Sequence, residues 1–184
     1  YYTPKSLMND NEFIEVPDSF YYTTAITDSA LSFIQKAKDD TPFYLYMAHV
    51  APHWPLHAPK ERVQKYVDLY TSGWDKIRID RLNRQKQLGF FDQDLDASSL
   101  PKLEYSWDEE THQNWQAYRM AVYAAQLEMV DEGMARVINE LKKKGIYENT
   151  MLVFLSDNGG SHEVINGVET RHGYFENGGT KPGI

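Results

Sequence analysis

Cysteine is absent from this 184-residue sequence. Its absence excludes disulfide bonds, metal sites built from thiolates and a cysteine nucleophile within these residues. It does not identify the compartment, because many exported bacterial proteins also lack cysteine. The zero count becomes important again when a nucleophile is sought.

Long apolar runs and basic blocks are absent as well. No apolar stretch approaches the roughly 20 residues that a membrane-crossing helix needs. The chain carries 19 basic and 27 acidic residues, a net charge of -8, and no cluster of lysine and arginine that could follow a phosphate backbone. We therefore expect a globular chain with no membrane span and no nucleic-acid partner.

Two short apolar runs predict buried strands. The first is FYLYMAHV, residues 43–50, which Pro42 and Pro52 bound on either side. The second is MLVFLS, residues 151–156, which leads directly into a glycine-rich stretch. Continuous apolar runs of this length are typical of strands that are covered on both faces of a sheet.

Helices are predicted between and before these strands. The most strongly periodic segment is residues 114–144, and the segment from Thr27 to Lys38 follows the same spacing, with Thr27 as its predicted cap. Weaker patterns predict an edge strand at 11–16 and helices at 60–70 and 74–88. The alternation predicts an α/β sandwich with a mainly parallel sheet, whose strands carry ligand-binding loops at their carboxyl ends.

A carboxylate and an amide follow the second predicted strand. Asp157 and Asn158 are adjacent, and Gly159 and Gly160 allow the backbone to turn sharply after them. Side-chain oxygens of this kind suit a hard cation such as Ca²⁺ or Mg²⁺. Asn-Gly is also a common turn dipeptide, so the spacing leaves a metal site and a simple β-turn equally open.

The first predicted strand ends in a proline-rich loop, APHWPLHAP, residues 51–59. Three prolines restrict this loop, and a rigid loop can aim a side chain accurately. His53 could donate a hydrogen bond to an anionic ester or protonate a leaving group, whereas the alternative is that it only packs the loop on the sheet. For His57 we favour the packing role.

The other four histidines carry less functional weight. His49 lies inside the first predicted strand and is interpreted as a core residue with satisfied hydrogen bonds, and His112 as a surface residue. His162 and His172 are near the glycine-rich stretch, but lone histidines in loops are usually solvated.

Together these segments resemble the sulfatases of the alkaline-phosphatase-like superfamily, most closely the bacterial arylsulfatases. The similarity covers nearly the whole chain, and its most specific motifs are PHWPLHAP (52–59) and SDNGG (156–160). The resemblance implies an alkaline-phosphatase-like α/β/α fold and hydrolysis of sulfate esters. It implies that a metal ion, usually Ca²⁺ with Mg²⁺ as the second candidate, lies beneath a formylglycine hydrate that attacks the sulfur.

The resemblance also assigns roles to individual residues. Asp157 and Asn158 correspond to metal ligands of the family. His53 corresponds to the imidazole that contacts the sulfate ester near its bridging oxygen, where charge develops as the S–O bond breaks. These are the same two loops that the strand pattern brings to the carboxyl ends of the predicted sheet.

The sequence departs from the family pattern in its nucleophile. Family members make formylglycine from a Cys or Ser in a Cys/Ser-x-Pro-Ser/Ala-Arg motif, and no such motif occurs in these residues. The N-terminal acidic metal ligands and the basic residues beside the nucleophile also lack counterparts. The family's lysine before a Gly-Gly strand is matched only by His172, too close to Asp157, and we do not assign that role to Lys181.

We therefore expect residues 1–184 to be an incomplete catalytic domain, the middle-to-C-terminal part of a sulfatase. The complete protein is expected to be periplasmic or secreted, with any targeting segment outside these residues, and to act on a sulfated carbohydrate or an aryl sulfate. Two alternatives remain. One is a phosphodiesterase or phosphonate hydrolase of the same superfamily, and the other is a non-catalytic remnant that binds glycans.

Overall fold

A computed structural model describes residues 4, 6–38, 40–53, 56–97 and 106–159. Within this part the chain divides into two compact units. The first contains the described residues up to His57 together with those from Gln126 onward, and the second contains those between Ala58 and Ala125.

Helices dominate the described residues. They contain one antiparallel hairpin and five α-helices: β1 (Met8–Asn9), β2 (Glu12–Phe13), α1 (Tyr22–Lys36), α2 (Lys60–Gln64), α3 (Val67–Tyr70), α4 (Gly73–Gln87) and α5 (Gln113–Lys143). Single 3₁₀ turns occupy Trp107–Glu109 and Tyr147–Asn149. None of the helices in these ranges is both long and apolar enough to cross a bilayer.

The core of the first unit lies between α1 and the second half of α5. Ala30 and Ile34 of α1 pack with Val137 and Leu141 of α5, and all four are almost fully buried. Burial of a large aliphatic side chain contributes about 1.5–3 kcal/mol. Leu45 and Met47 cover the same cluster, which places the segment 43–50 against these two helices.

Helices α1 and α5 run parallel, as contacts at three levels along them show. Arg136 forms an ion pair of 2.6 Å with Asp28, and Lys144 Nζ donates to the Ala37 carbonyl oxygen at 2.7 Å. Just before the ion pair on both helices, the backbone of Gly133 approaches Thr27 closely. Each helix is followed, after a short connection, by one of the two apolar segments.

The start of α1 differs from the prediction. The helix begins at Tyr22 rather than Thr27, and its N-cap is Tyr21, which has no capping side-chain hydrogen bond. Thr27 is buried inside the helix, where its hydroxyl donates to the Thr23 carbonyl oxygen at 3.4 Å. The predicted Thr27 cap is wrong, since the helix begins one turn earlier and Thr23 in that turn is also buried, despite the aromatic and β-branched residues there.

The remaining helix predictions agree with the structure to within a few residues. The predicted long helix 114–144 is α5, and the predicted helix 74–88 is α4. The predicted helix 60–70 is split into α2 and α3. The predicted edge strand 11–16 is reduced to the two paired residues of β2, and Met8 faces Phe13 in that hairpin.

The predicted mainly parallel sheet is not confirmed. In the described ranges, neither segment 43–50 nor segment 151–156 pairs with another strand. Exposure along 43–50 nevertheless alternates, since Leu45, Met47 and His49 are partly buried while Tyr44 and Tyr46 are 89% and 76% exposed. A period of two is the pattern of an extended strand. The sheet itself therefore stays a prediction.

The second unit is organised around two tryptophans. Trp74, in the first turn of α4, packs edge-on against Trp107 with ring centroids 4.7 Å apart. Gly73 has a φ of +83° and lies directly against the Trp107 ring, so a larger residue would be excluded there. The Trp107 amide also donates to the Asp75 carboxylate at 3.0 Å. These contacts fix the chain before α5 to the start of α4.

Candidate active site

His53 stands on an exposed turn at the end of segment 43–50. The backbone N–H of His53 donates to the Val50 carbonyl oxygen at 2.8 Å, which closes the turn, and the peptide bond between Ala51 and Pro52 is cis. Ala51 is buried, whereas His53 is exposed. The loop thus fixes its backbone to the fold while it leaves the His53 side chain accessible.

A tyrosine side chain binds the main chain at residue 57, near the end of the proline-rich loop. The hydroxyl of Tyr21, just before α1, donates to the His57 carbonyl oxygen at 2.7 Å, across 36 positions of sequence. Segment 43–50 follows the C-terminal end of α1, and this bond shows that the chain has returned to the N-terminal end of α1 by residue 57. Residue 57 therefore lies beside the N-terminal end of α1.

Burial affects two neighbouring histidines. Desolvation lowers the pKa of His57, which is half-buried, and also lowers the pKa of His49. Both imidazoles are therefore held in the neutral form more strongly than a solvated histidine. Both ring nitrogens of His49 are buried and have no hydrogen-bond partner among the described residues, so its interpretation as a satisfied core residue is wrong. His112 is exposed, as predicted.

Asp157 and Asn158 form a tight turn after segment 151–156. The backbone N–H of Asn158 donates to Asp157 Oδ1 at 3.0 Å, and Asn158 Nδ2 donates to the Gly159 carbonyl oxygen at 2.8 Å. Since only the NH₂ group of the amide can donate, the Asn158 oxygen must point the other way. Asp157 Oδ2 and Asn158 Oδ1 are then left as exposed acceptors.

These two oxygens match the chemistry of a hard cation but cannot hold one alone. Ca²⁺ takes about six to eight oxygen ligands, and this pair supplies only two or three of them. No group of three or more histidine, aspartate or glutamate side chains comes together as a metal site in the described part of the chain. The turn and the ligand pair are thus compatible interpretations, and the remaining ligands would have to come from elsewhere.

Comparison with known proteins identifies the family. The sulfatase family model matches residues 1–181. The chain belongs to the sulfatase family. Among its relatives, an uncharacterized sulfatase of Schizosaccharomyces pombe is 34% identical over 153 residues, which are 82% of this chain and 28% of the relative.

Two further sulfatases carry more informative names. An arylsulfatase of Klebsiella aerogenes is 34% identical over 161 residues, covering 86% of this chain and 33% of that enzyme. A ulvan-active sulfatase of Formosa agariphila is 29% identical over 140 residues, covering 76% and 22% respectively. The chain thus spans about a third or less of these sulfatases. Membership of the family implies an α/β fold of the alkaline-phosphatase type.

The structure describes some of the predicted site residues and not others. His53, Asp157 and Asn158 are all exposed on loops that follow the two apolar segments, as the strand pattern predicted. The approach of these loops to one another stays a prediction. His162, His172 and Lys181 lie outside the described residues. Sequence reasoning overlooked Tyr21, because a tyrosine beside two other aromatic residues gives no signal that its hydroxyl reaches a distant carbonyl.

Proposed function

We propose that the complete protein hydrolyses sulfate esters, and that this chain supplies the leaving-group side and part of the metal site. The supporting observation is the pair of loops, one presenting His53 on a fixed turn and the other presenting two free oxygens, in a chain of the sulfatase family. The substrate class is a sulfated carbohydrate or an aryl sulfate, as the names of the related enzymes suggest.

In this proposal Asp157 and Asn158 bind Ca²⁺, with Mg²⁺ as the second candidate. The cation would neutralise the sulfate oxygens and hold the formylglycine, which belongs to a part of the protein outside these residues. The carboxylate of Asp157 contributes charge and the amide oxygen of Asn158 contributes a dipole. Their turn is already closed by its own hydrogen bonds, so little reorganisation is needed when the ion binds.

His53 acts on the other side of the substrate. Its imidazole donates a hydrogen bond to the bridging oxygen, or protonates it, as the S–O bond breaks and the alcohol or phenol departs. This interaction strengthens in the transition state, because the bridging oxygen becomes more negative during bond cleavage. His57 lies on the same loop, but its carbonyl already holds the Tyr21 hydroxyl and its imidazole is half-buried.

The test compares His53→Ala with His57→Ala in the full-length protein. We expect His53→Ala to raise the barrier by about 2–4 kcal/mol, with the loss in kcat rather than in KM. His57→Ala should cost no more than about 1 kcal/mol, as is usual for a partly exposed packing residue. The measurement is kcat and KM on an aryl sulfate, with a matched aryl phosphodiester alongside.

Each outcome has a distinct meaning. A larger loss in His57→Ala would show that the site assignment is wrong. A preference of the wild-type protein for the phosphodiester would support the phosphodiesterase alternative. Binding of sulfated glycan without turnover would support the non-catalytic remnant.

We also propose that residues 1–184 form the middle-to-C-terminal part of a larger catalytic domain, and that the complete protein is periplasmic or secreted. Both statements rest on the similarity to bacterial arylsulfatases. Fractionation of cells that express the complete gene tests the location, and a Cys/Ser-x-Pro-x-Arg motif encoded upstream of Tyr1 would support the domain assignment.

A further inference from the structure

We infer that Tyr21 is a positioning residue for the His53 loop, an inference that rests on the proposed sulfate ester hydrolysis. Its hydroxyl holds the main chain at residue 57, four positions after His53. It contacts neither substrate nor metal in this role, and it acts only through the loop.

Burial makes the Tyr21 contact a fixed one. Tyr21 is only 7% exposed, and burial raises the pKa of its hydroxyl, so the group remains a hydrogen-bond donor at neutral and mildly alkaline pH. Leu56 and Ala58, on either side of the acceptor, are 8% and 0% exposed. The acceptor carbonyl therefore belongs to a stretch of loop that cannot move into solvent without exposing apolar surface.

The described parts of the loop, residues 51–53 and 56–59, each have a contact that holds the main chain. At its start, the buried Ala51 and the His53-to-Val50 hydrogen bond set the turn. At its end, Tyr21 holds residue 57. His53 lies between these anchors and is exposed, which is the arrangement expected of a side chain aimed at a ligand by a rigid support.

The contact goes to a backbone carbonyl rather than to a side chain. The His57 side chain can therefore be replaced without removing the acceptor, whereas replacing Tyr21 by Phe removes the donor but keeps the ring. This asymmetry separates the positioning role of Tyr21 from any role of the His57 imidazole.

The test uses Tyr21→Phe in the full-length, metal-loaded protein, with the neighbouring Tyr22→Phe as the matched control. We expect Tyr21→Phe to lower kcat on a sulfate ester roughly 10-fold to 100-fold, as for other groups that orient a functional side chain. KM and Ca²⁺ affinity should change little, and Tyr22→Phe should leave kcat unchanged.

Two readouts distinguish positioning from a general loss of structure. Tyr21→Phe should have little further effect in a His53→Ala background, because the loop then carries no imidazole whose position matters. The loss should also shrink for aryl sulfates whose leaving phenols are more acidic, since these need less help from His53. Additive losses, or equal losses for all leaving groups, would overturn the inference.

A second variant covers the case in which Tyr21→Phe does not fold. Site-specific 3,5-difluorotyrosine at position 21 keeps the shape of the ring but makes the hydroxyl more acidic. The kcat of this variant should fall with rising pH as the hydroxyl at position 21 ionises. A pH profile identical to that of the wild-type protein would overturn the inference. Absence of sulfate ester hydrolysis in the wild-type protein would instead refute the proposed function, so the two failures are distinguishable.

Discussion

Asp157 and Asn158 occupy one turn, yet they offer a cation different things. Asp157 brings a full negative charge, although its Oδ1 already accepts a hydrogen bond from the backbone N–H of Asn158. Asn158 brings only the oxygen of an amide whose NH₂ group is engaged with Gly159. Charge neutralisation dominates the binding of a divalent ion, so the two ligands should contribute unequally.

We therefore expect Asp157→Ala in the complete protein to weaken Ca²⁺ binding more than Asn158→Ala does. The difference should be of the order of tenfold in Kd, or about 1.4 kcal/mol. Calorimetric titration of Ca²⁺ into both variants measures it, with Asp108→Ala as a control that removes a carboxylate outside the proposed ligand pair. Wild-type affinity in both variants would mean that the pair is a turn and nothing more.

His49 shows where residue-level prediction reached its limit. Its position inside an apolar run correctly indicated partial burial, because the alternation of a strand can be read from the sequence. The number of hydrogen bonds that its ring would make could not be predicted, because that depends on neighbours far along the chain. The irregular loop that carries His53 was easier to predict, since three prolines within nine residues limit the conformations available.

At the scale of elements, the contact between α1 and α5 depends on the absence of a side chain. A Cβ atom at Gly133 would lie 2.5 Å from Thr27 Oγ1, well inside contact distance, but 3.6 Å from Thr27 Cβ. The missing Cβ of Gly133 therefore leaves space for the Thr27 hydroxyl, whereas the rest of the Thr27 side chain would fit beside an alanine. In a helix interior, alanine would otherwise be favoured over glycine by about 1 kcal/mol.

A double-mutant cycle in the complete protein tests this packing. Gly133→Ala alone should lower the free energy of unfolding by about 1–3 kcal/mol, the usual cost of overpacking. In a Thr27→Ala background the same change should be neutral or should stabilise by up to about 1 kcal/mol. Urea denaturation gives both values, and a stabilising Gly133→Ala in the presence of Thr27 would contradict the close contact.

The helices were predictable to different degrees for a physical reason. The long stripe of α5 repeats over many turns, so its periodicity outweighs any single unfavourable residue. The first turn of α1 contains Tyr22, Thr23 and Thr24, whose local preferences oppose a helix. Tyr21 and Thr23 are nevertheless buried there, and burial of this kind cannot be predicted from local spacing.

At the scale of the whole molecule, the sequence indicated the family more completely than it indicated the sheet. The motifs at 52–59 and 156–160 are short and specific, and the family assignment is confirmed by the match over residues 1–181. A sheet depends on pairing between strands, which a pattern within one strand cannot establish. The two apolar segments were found, but their partners were not.

The missing nucleophile leads to a prediction about the activity of residues 1–184 alone. We expect residues 1–184 alone to show no turnover of an aryl sulfate, because they contain neither cysteine nor a serine in the formylglycine motif. The remaining donors can at most bind the substrate. An assay of the isolated chain beside the complete protein checks this, and turnover that is abolished by His53→Ala would contradict it.

Segment 151–155, which pairs with no other strand among the residues that the structure describes, has a practical consequence for handling these residues in isolation. Met151, Val153, Phe154 and Leu155 are each about 70–90% exposed, and the segment has no charge, glycine or proline to interrupt it. An uncharged apolar strand with free backbone groups is a template for cross-β aggregation. In the complete protein, other residues must cover such a segment before two chains meet. The isolated residues 1–184 should therefore precipitate as they accumulate, whereas the complete protein should stay dispersed.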